Sequence, residues 1–159
     1  MRKIILVGAL ATASGVGAYL AIRKKKIDRV LDKLKFSVKD VQNFKLSGGK
    51  LKADLYLRAH NPTNESLDVS TGFLTADTLR VYEKGTSKAL AVSELQINQI
   101  ELPAGGFYYF PALSVEIPLL RGAVIALTQL TNNKSSFVDK LTIELDVTAM
   151  NYTKTITIN

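Results

Sequence analysis

The twelve residues Leu51-Lys52-Ala53-Asp54-Leu55-Tyr56-Leu57-Arg58-Ala59-His60-Asn61-Pro62 narrow the choice of fold more than any other stretch. Leu51, Ala53, Leu55, Leu57 and Ala59 are apolar, and the residues between them are polar or amphipathic. A period of two over that length puts one set on each face of a strand, one face buried and the other wet. Pro62 cannot donate a ladder hydrogen bond and holds Asn61 extended, so the strand ends in a structural corner at Asn61 and Pro62. Asn64, Glu65 and Ser66 supply turn chemistry, and alternation at Leu67, Val69, Thr71 and Phe73 predicts a returning strand over 67–75.

The same signal recurs along the chain. Phe36 and Val38, then Val41, Phe44 and Leu46 after a shift of phase, lead into a Ser47-Gly48-Gly49 turn. Strands are predicted at 79–83 and 89–93 around the hairpin turn Lys84-Gly85-Thr86-Ser87. Alternation continues through Leu95 and Ile97 until Leu102-Pro103-Ala104-Gly105-Gly106 breaks it. Residues 107–117 read as one apolar strand, with Phe107, Tyr109, Leu113, Val115 and Ile117 on one face and Tyr108 and Phe110 on the other. Pro111 within it predicts an edge or a bulge. Core packing is the favoured reading of the Phe107-Tyr108-Tyr109-Phe110 cluster, over stacking on a ligand. Pro118 at a first helical position, with Leu120, Val124, Leu127 and Leu130 behind it, predicts one helix ending at Asn132-Asn133. A last hairpin follows over 141–149 and 154–159. The fold class is mainly β: an antiparallel β-sandwich with one helix.

Ahead of the sandwich, residues 4–22 carry no charge. Nineteen residues at 1.5 Å rise reach about 28 Å, close to the hydrocarbon thickness of a bilayer. Ile4 and Leu6 open this expected membrane anchor, and Ala9, Ala13, Gly17 and Ala21 place a small residue at every fourth position, where another helix can approach. That stripe is the expected route to a homo-oligomer or a protein partner. Arg23, Lys24, Lys25 and Lys26 follow, as headgroup contacts for anionic lipid. A cleaved secretory signal ending near Ala11-Thr12-Ala13 is the alternative, but the apolar run continues past that site into the lysine cluster. The chain thus divides into an anchor with a basic flank over 1–26, an amphipathic juxtamembrane stalk over 27–35 and a sandwich over 36–159. Ile27, Val30, Leu31 and Leu34 stand at i, i+3, i+4 and i+7 in the stalk, which reads equally as a solvated linker helix.

Charge supports this division. Residues 1–35 hold nine Lys/Arg and two Asp/Glu, a net +7, while 36–159 hold twelve of each. A basic excess confined to the flanks of an apolar segment points to a membrane and away from nucleic acid. Seven basic residues after the segment, against Arg2, Lys3 and the terminal amine before it, place the sandwich on the cytoplasmic side. The equivalent location in a virus is the outward face of an internal membrane.

Little in the chain suggests catalysis. Without cysteine there is no thiolate ligand or nucleophile, and one histidine, His60, cannot build a histidine metal cluster. The acidic residues are scattered singly, and neither Gly48-Gly49 nor Gly105-Gly106 leads from a strand into a helix as a phosphate cradle does. No enzyme activity and no cofactor are expected. Sequons at Asn64, Asn133 and Asn151 matter only in a secretory compartment.

Residues 36–159 resemble the late embryogenesis abundant type 2 family, whose module is also called the water-stress/hypersensitive-response domain. Three segments carry the likeness: Asn61-Pro62-Thr63, similar to that family's Asn-Pro-Asn corner; Ile100-Glu101-Leu102-Pro103-Ala104; and Val115-Glu116-Ile117-Pro118-Leu119-Leu120. Thr63 departs from the pattern. The resemblance implies an immunoglobulin- or fibronectin-III-like sandwich, often behind an N-terminal membrane segment, with no catalytic residues to carry over. It also implies a stress-protective, lipid-associated or scaffolding role. The expected function is a structural protein linking a membrane to a protein assembly, in a cell envelope or a lipid-containing virion. The alternative is a lipid- or amphiphile-binding module with a cavity between the sheets, bounded by Phe107, Tyr109, Leu113, Leu55 and Leu57.

Overall fold

The computed structural model describes residues 2–68, 74–119, 138–150 and 152–158, with the backbone alone for 2–17. A helix, α1 (Arg2–Lys33), leads into eight strands: β1 (Lys35–Ser47), β2 (Lys50–His60), β3 (Leu74–Glu83), β4 (Ala89–Ile100), β5 (Phe107–Tyr109), β6 (Leu113–Pro118), β7 (Leu141–Ala149) and β8 (Tyr152–Ile158). The described chain is mainly β, with two antiparallel four-stranded sheets and one helix. In the first sheet β2 is central, with β1 on one side and β5 and β6 sharing the other. The second runs β4-β3-β7-β8.

β2 is the alternating stretch, and its five apolar residues are all buried. β7 repeats the pattern in the second sheet through Leu141, Ile143, Leu145, Val147 and Ala149. Both sets belong to one core, to which Leu74, Leu79, Val81, Leu113, Val115 and Ile117 also contribute. The β1–β2 turn places Gly48 and Gly49 at φ 59° and 70°, a region where a side chain would collide with the backbone. The phase shift within β1 is real: its register with β2 slips between Val38 and Asp40 and again between Gln42 and Lys45. Asn43 in the second slip has φ 54°, and its Nδ2 donates to Asp54 Oδ2 at 2.7 Å.

The expected single strand over 107–117 is corrected. Tyr109 pairs with Arg58 and Leu113 with Leu55, so four steps on one side face three on the other. One residue is therefore extra around Pro111, and a bulge of one residue exchanges the faces. Phe107 and Tyr109 consequently point outward, 47% and 61% exposed, while Phe110, Leu113, Val115 and Ile117 are buried. The bulge was legible in the sequence, and core packing of Phe107 and Tyr109 was not what it produced.

Of the predicted strand over 67–75, Leu67 makes an isolated bridge with Leu102, β3 begins at Leu74, and 69–73 lie outside the described residues. The predicted helix over 118–133 falls almost wholly outside them too. Pro118 itself ends β6, opposite Lys50.

The last two turns of α1, with Leu34 just after them, belong to the core. Ile27, Val30, Leu31 and Leu34 are buried in the same cluster as the strands. Arg29 pairs with Glu65 at 3.2 Å and Asp32 with Lys154 at 2.5 Å. Such exposed ion pairs contribute at most about 1 kcal/mol each. Burying each aliphatic side chain contributes roughly 1.5–3 kcal/mol, so apolar packing holds the helix.

Candidate functional site

The most tightly built site is the corner that ends β2. Asn61 is fully buried. Its Nδ2 donates to the carbonyls of Glu65 at 2.7 Å, Pro103 at 3.2 Å and Leu102 at 3.3 Å. Its Oδ1 accepts from Thr63 N at 3.1 Å and Thr63 Oγ1 at 2.7 Å. Thr63 thus closes the turn with its hydroxyl, which also accepts from Glu65 N at 3.3 Å.

The segment 102–106 is the other half of this corner. Leu67 and Leu102 exchange both backbone hydrogen bonds, at 2.9 and 2.8 Å. Gly105 N donates to Thr63 O and Asn61 N to Gly106 O, each at 3.0 Å. A Cβ on Gly106 would stand 2.3 Å from Pro103 Cγ, so the turn has no room for a side chain there. Two segments singled out separately in the sequence therefore interlock around one amide. Pro62 is exposed at the corner's outer edge.

Beside the corner, the outer face of the first sheet carries aromatic and basic groups. His60 stacks on Phe107 with centroids 4.4 Å apart, and the Arg58 guanidinium lies 5.2 Å from the same ring. The bulge at Val38/Asp40 and the bulge at Pro111 flank β2 at the same level. Between them lies an open groove of about 260 Å³, lined by Lys39, Asp40, Gln42, Tyr56, Leu57, Tyr109 and Phe110. Asp40 accepts from Val41 N at 2.8 Å and Gln42 Nε2 at 2.5 Å, so its carboxylate is engaged by its own strand. No nucleophile–base pair converges on the groove. The cavity sought between the sheets is not bounded as expected either, because Phe107 and Tyr109 lie outside while Leu55, Leu57 and Leu113 lie in the core.

At the far end of this face, Glu116 accepts from Lys50 Nζ at 2.8 Å and from Lys52 Nζ. These two hydrogen bonds, first from Lys50 and then from Lys52, hold its carboxyl down at about 2. A carboxylate depressed on folding stabilises fully above its ordinary value of 4.5, and that contribution fades as pH falls through about 2. The exposed setting keeps the effect on stability small. In a carboxyl-detected NMR titration, Glu116 is expected to titrate near 2, and the Lys50→Ala/Lys52→Ala variant to move it back toward 4.5. An unmoved midpoint in the double variant would rule out the lysine pairing.

The anchor residues Ile4, Leu6, Ala9, Ala13 and Gly17 have side chains outside the described residues. Ala21, Lys24 and Lys25 are exposed, and Arg23 and Lys26 are half-buried. Among the residues whose side chains are described, from Ala18 onward, no helix is long and apolar enough to cross a membrane, and no group of three or more His, Asp or Glu is placed to hold a metal ion.

No protein-family model matches the chain, and no curated protein matches it. Among solved structures, a protein from Archaeoglobus fulgidus is similar with a TM-score of 0.42 at 8% identity, over 76% of this chain and 90% of that one. A beta-glucosidase from Paenibacillus barengoltzii gives 0.32 at 14% identity, over 80% of this chain but 13% of the glucosidase. Similarities this low say nothing about activity.

Proposed function

We propose that the chain is a single-pass membrane protein whose sandwich, of immunoglobulin or fibronectin-III kind and of the late embryogenesis abundant type 2 family, has a structural, non-enzymatic role. It links a membrane to a protein assembly, in a cell envelope or in a virion with an internal lipid layer. The observation that carries this reading is the mounting of α1. The helix runs from Arg2 to Lys33, includes the uncharged stretch 4–22, and has its last two turns packed into the core through Ile27, Val30 and Leu31, with Leu34 following just after it. A spanning segment attached in this way fixes the attitude of the sandwich, as a scaffold requires and a tethered enzyme does not.

The basic flank of Arg23, Lys24, Lys25 and Lys26 supports a cytoplasmic sandwich, or one on the outward face of an internal viral membrane. The stripe of Ala9, Ala13, Gly17 and Ala21 supports association of copies within the bilayer. In alkaline carbonate the protein is expected to stay with the membrane pellet and to leave it only in detergent. Release by high salt alone would mean peripheral binding through the basic flank and would overturn the spanning reading.

A further inference from the structure

We propose that the end of the sandwich from which α1 emerges is itself a membrane-docking surface, resting on anionic headgroups through a rim of exposed aromatic and apolar side chains. This rests on the anchored reading above and adds a second contact to it.

Strand register defines that end. Lys35 pairs with His60 and His60 with Phe107, so β1 begins, β2 ends and β5 begins at one level. Leu74 pairs with both Ile100 and Ala149, and Ile100 leads to Leu102, which bridges Leu67 just past the Asn61 corner. The β7–β8 turn therefore lies at the same end in the other sheet. The ion pairs of α1 reach both sides of it, Arg29 to Glu65 in the corner and Asp32 to Lys154 on β8.

Exposed apolar surface gathers there. Nine large hydrophobic residues are exposed among the described ones. Three, Tyr19, Leu20 and Ile22, stand on α1 where it leaves the sandwich. Four more, Phe107 and Tyr109 in one sheet and Met150 and Tyr152 in the other, rim the end just defined. Only Leu46, by the opposite turn, and Val92, toward the opposite end of β4, lie elsewhere. Aromatic rings with a polar tip or a neighbouring cation suit the boundary between headgroups and acyl chains.

Charge and distance agree with this placement. Arg58 lies over Phe107 and Lys35 is exposed on the adjoining strand; of the acids at this end Asp32 and Glu65 are paired, while Asp28 is half-buried on α1 and Glu101 is exposed beside Leu102. Arg23 stands four residues before buried Ile27, about 6 Å along the helix axis. Neither Gly nor Pro occurs from Ala18 to Lys33, so the helix has no built-in kink between bilayer and core. A headgroup layer met by Arg23, Lys24, Lys25 and Lys26 is thus within a side chain's length of the rim.

The chain has no cysteine, so single cysteines can report position. Tyr109→Cys and Met150→Cys test the rim, with Leu46→Cys and Val92→Cys as controls. Each labelled full chain is reconstituted into phosphatidylcholine/phosphatidylserine vesicles carrying a headgroup-attached quencher, and flotation confirms incorporation. Labels at 109 and 150 are expected to be quenched several-fold more strongly than those at 46 and 92. Equal quenching at all four positions on a chain that floats overturns the docking and leaves the anchor standing. Close approach of labels on different copies, without lipid quenching, gives the rim to a second copy and also overturns it. A chain that does not float removes the anchor, and the docking with it.

Discussion

Asn61→Ala lowers the unfolding free energy by on the order of 3–5 kcal/mol, and Asn61→Asp lowers it further still. The alanine removes five side-chain hydrogen bonds, leaving Thr63 N without its acceptor and the carbonyls of Glu65, Leu102 and Pro103 with only their other donors, Thr63 Oγ1, Leu67 N and Gly106 N. Each hydrogen bond lost costs about 0.5–1.5 kcal/mol and a buried group left unpaired about 1–3 kcal/mol, less where water enters the vacated volume, so the losses do not simply add. Aspartate has nearly the same shape, but it replaces the amide donor with an oxygen aimed at three carbonyl oxygens. Its other oxygen still accepts from Thr63. Burying a charge against like dipoles outweighs that gain. Urea unfolding followed by far-UV circular dichroism gives the order wild type, alanine, aspartate. An aspartate variant as stable as wild type would mean that the amide is oriented the other way, or that the corner is wet.

Some of this architecture was legible residue by residue, and the limits have physical causes. The alternation at 51–59 gave β2 its faces without outside help, because every step along a strand reverses the side chain. Gly48-Gly49 and Lys84-Gly85-Thr86-Ser87 marked two hairpins by chemistry confined to the turn. The final hairpin was equally local, with β7 and β8 joined close to the expected turn. Around Pro111, recognising a bulge was not enough. Whether Phe107 or Phe110 faces the core depends on how many residues the partner strand supplies, and that count is a property of the pairing. The corner shows the same limit. Asn61 was marked as structural, but its partners at 102 and 103 are some forty positions away, and nothing local announces a carbonyl that far along the chain. For α1, the spacing of Ile27, Val30, Leu31 and Leu34 revealed an apolar stripe and left open what covers it. A bilayer, water-exposed packing and a sandwich core all accept the same pattern.

Leu31→Ala then distinguishes a stalk from a core element. Leu31 is 1% exposed and sits among Ile27, Val30 and Leu34 in the cluster that includes the strands. Truncating a leucine so placed is expected to cost about 2–5 kcal/mol, from lost transfer free energy and from the cavity left behind. Arg29→Ala, two residues earlier on the exposed side of the helix, removes only the Glu65 ion pair and is expected to cost no more than about 1 kcal/mol. The contrast matters because a solvated stalk predicts small effects at both positions. Denaturant unfolding of the full chain in detergent micelles, followed through the strand signal, measures both. If Leu31→Ala leaves the strands as stable as Arg29→Ala does, the helix is not packed on the sandwich, and a fixed attitude at the membrane loses its mechanical basis. If it unfolds them early, a mutation in the helix will have been felt in sheets far along the chain, as burial in a common core requires.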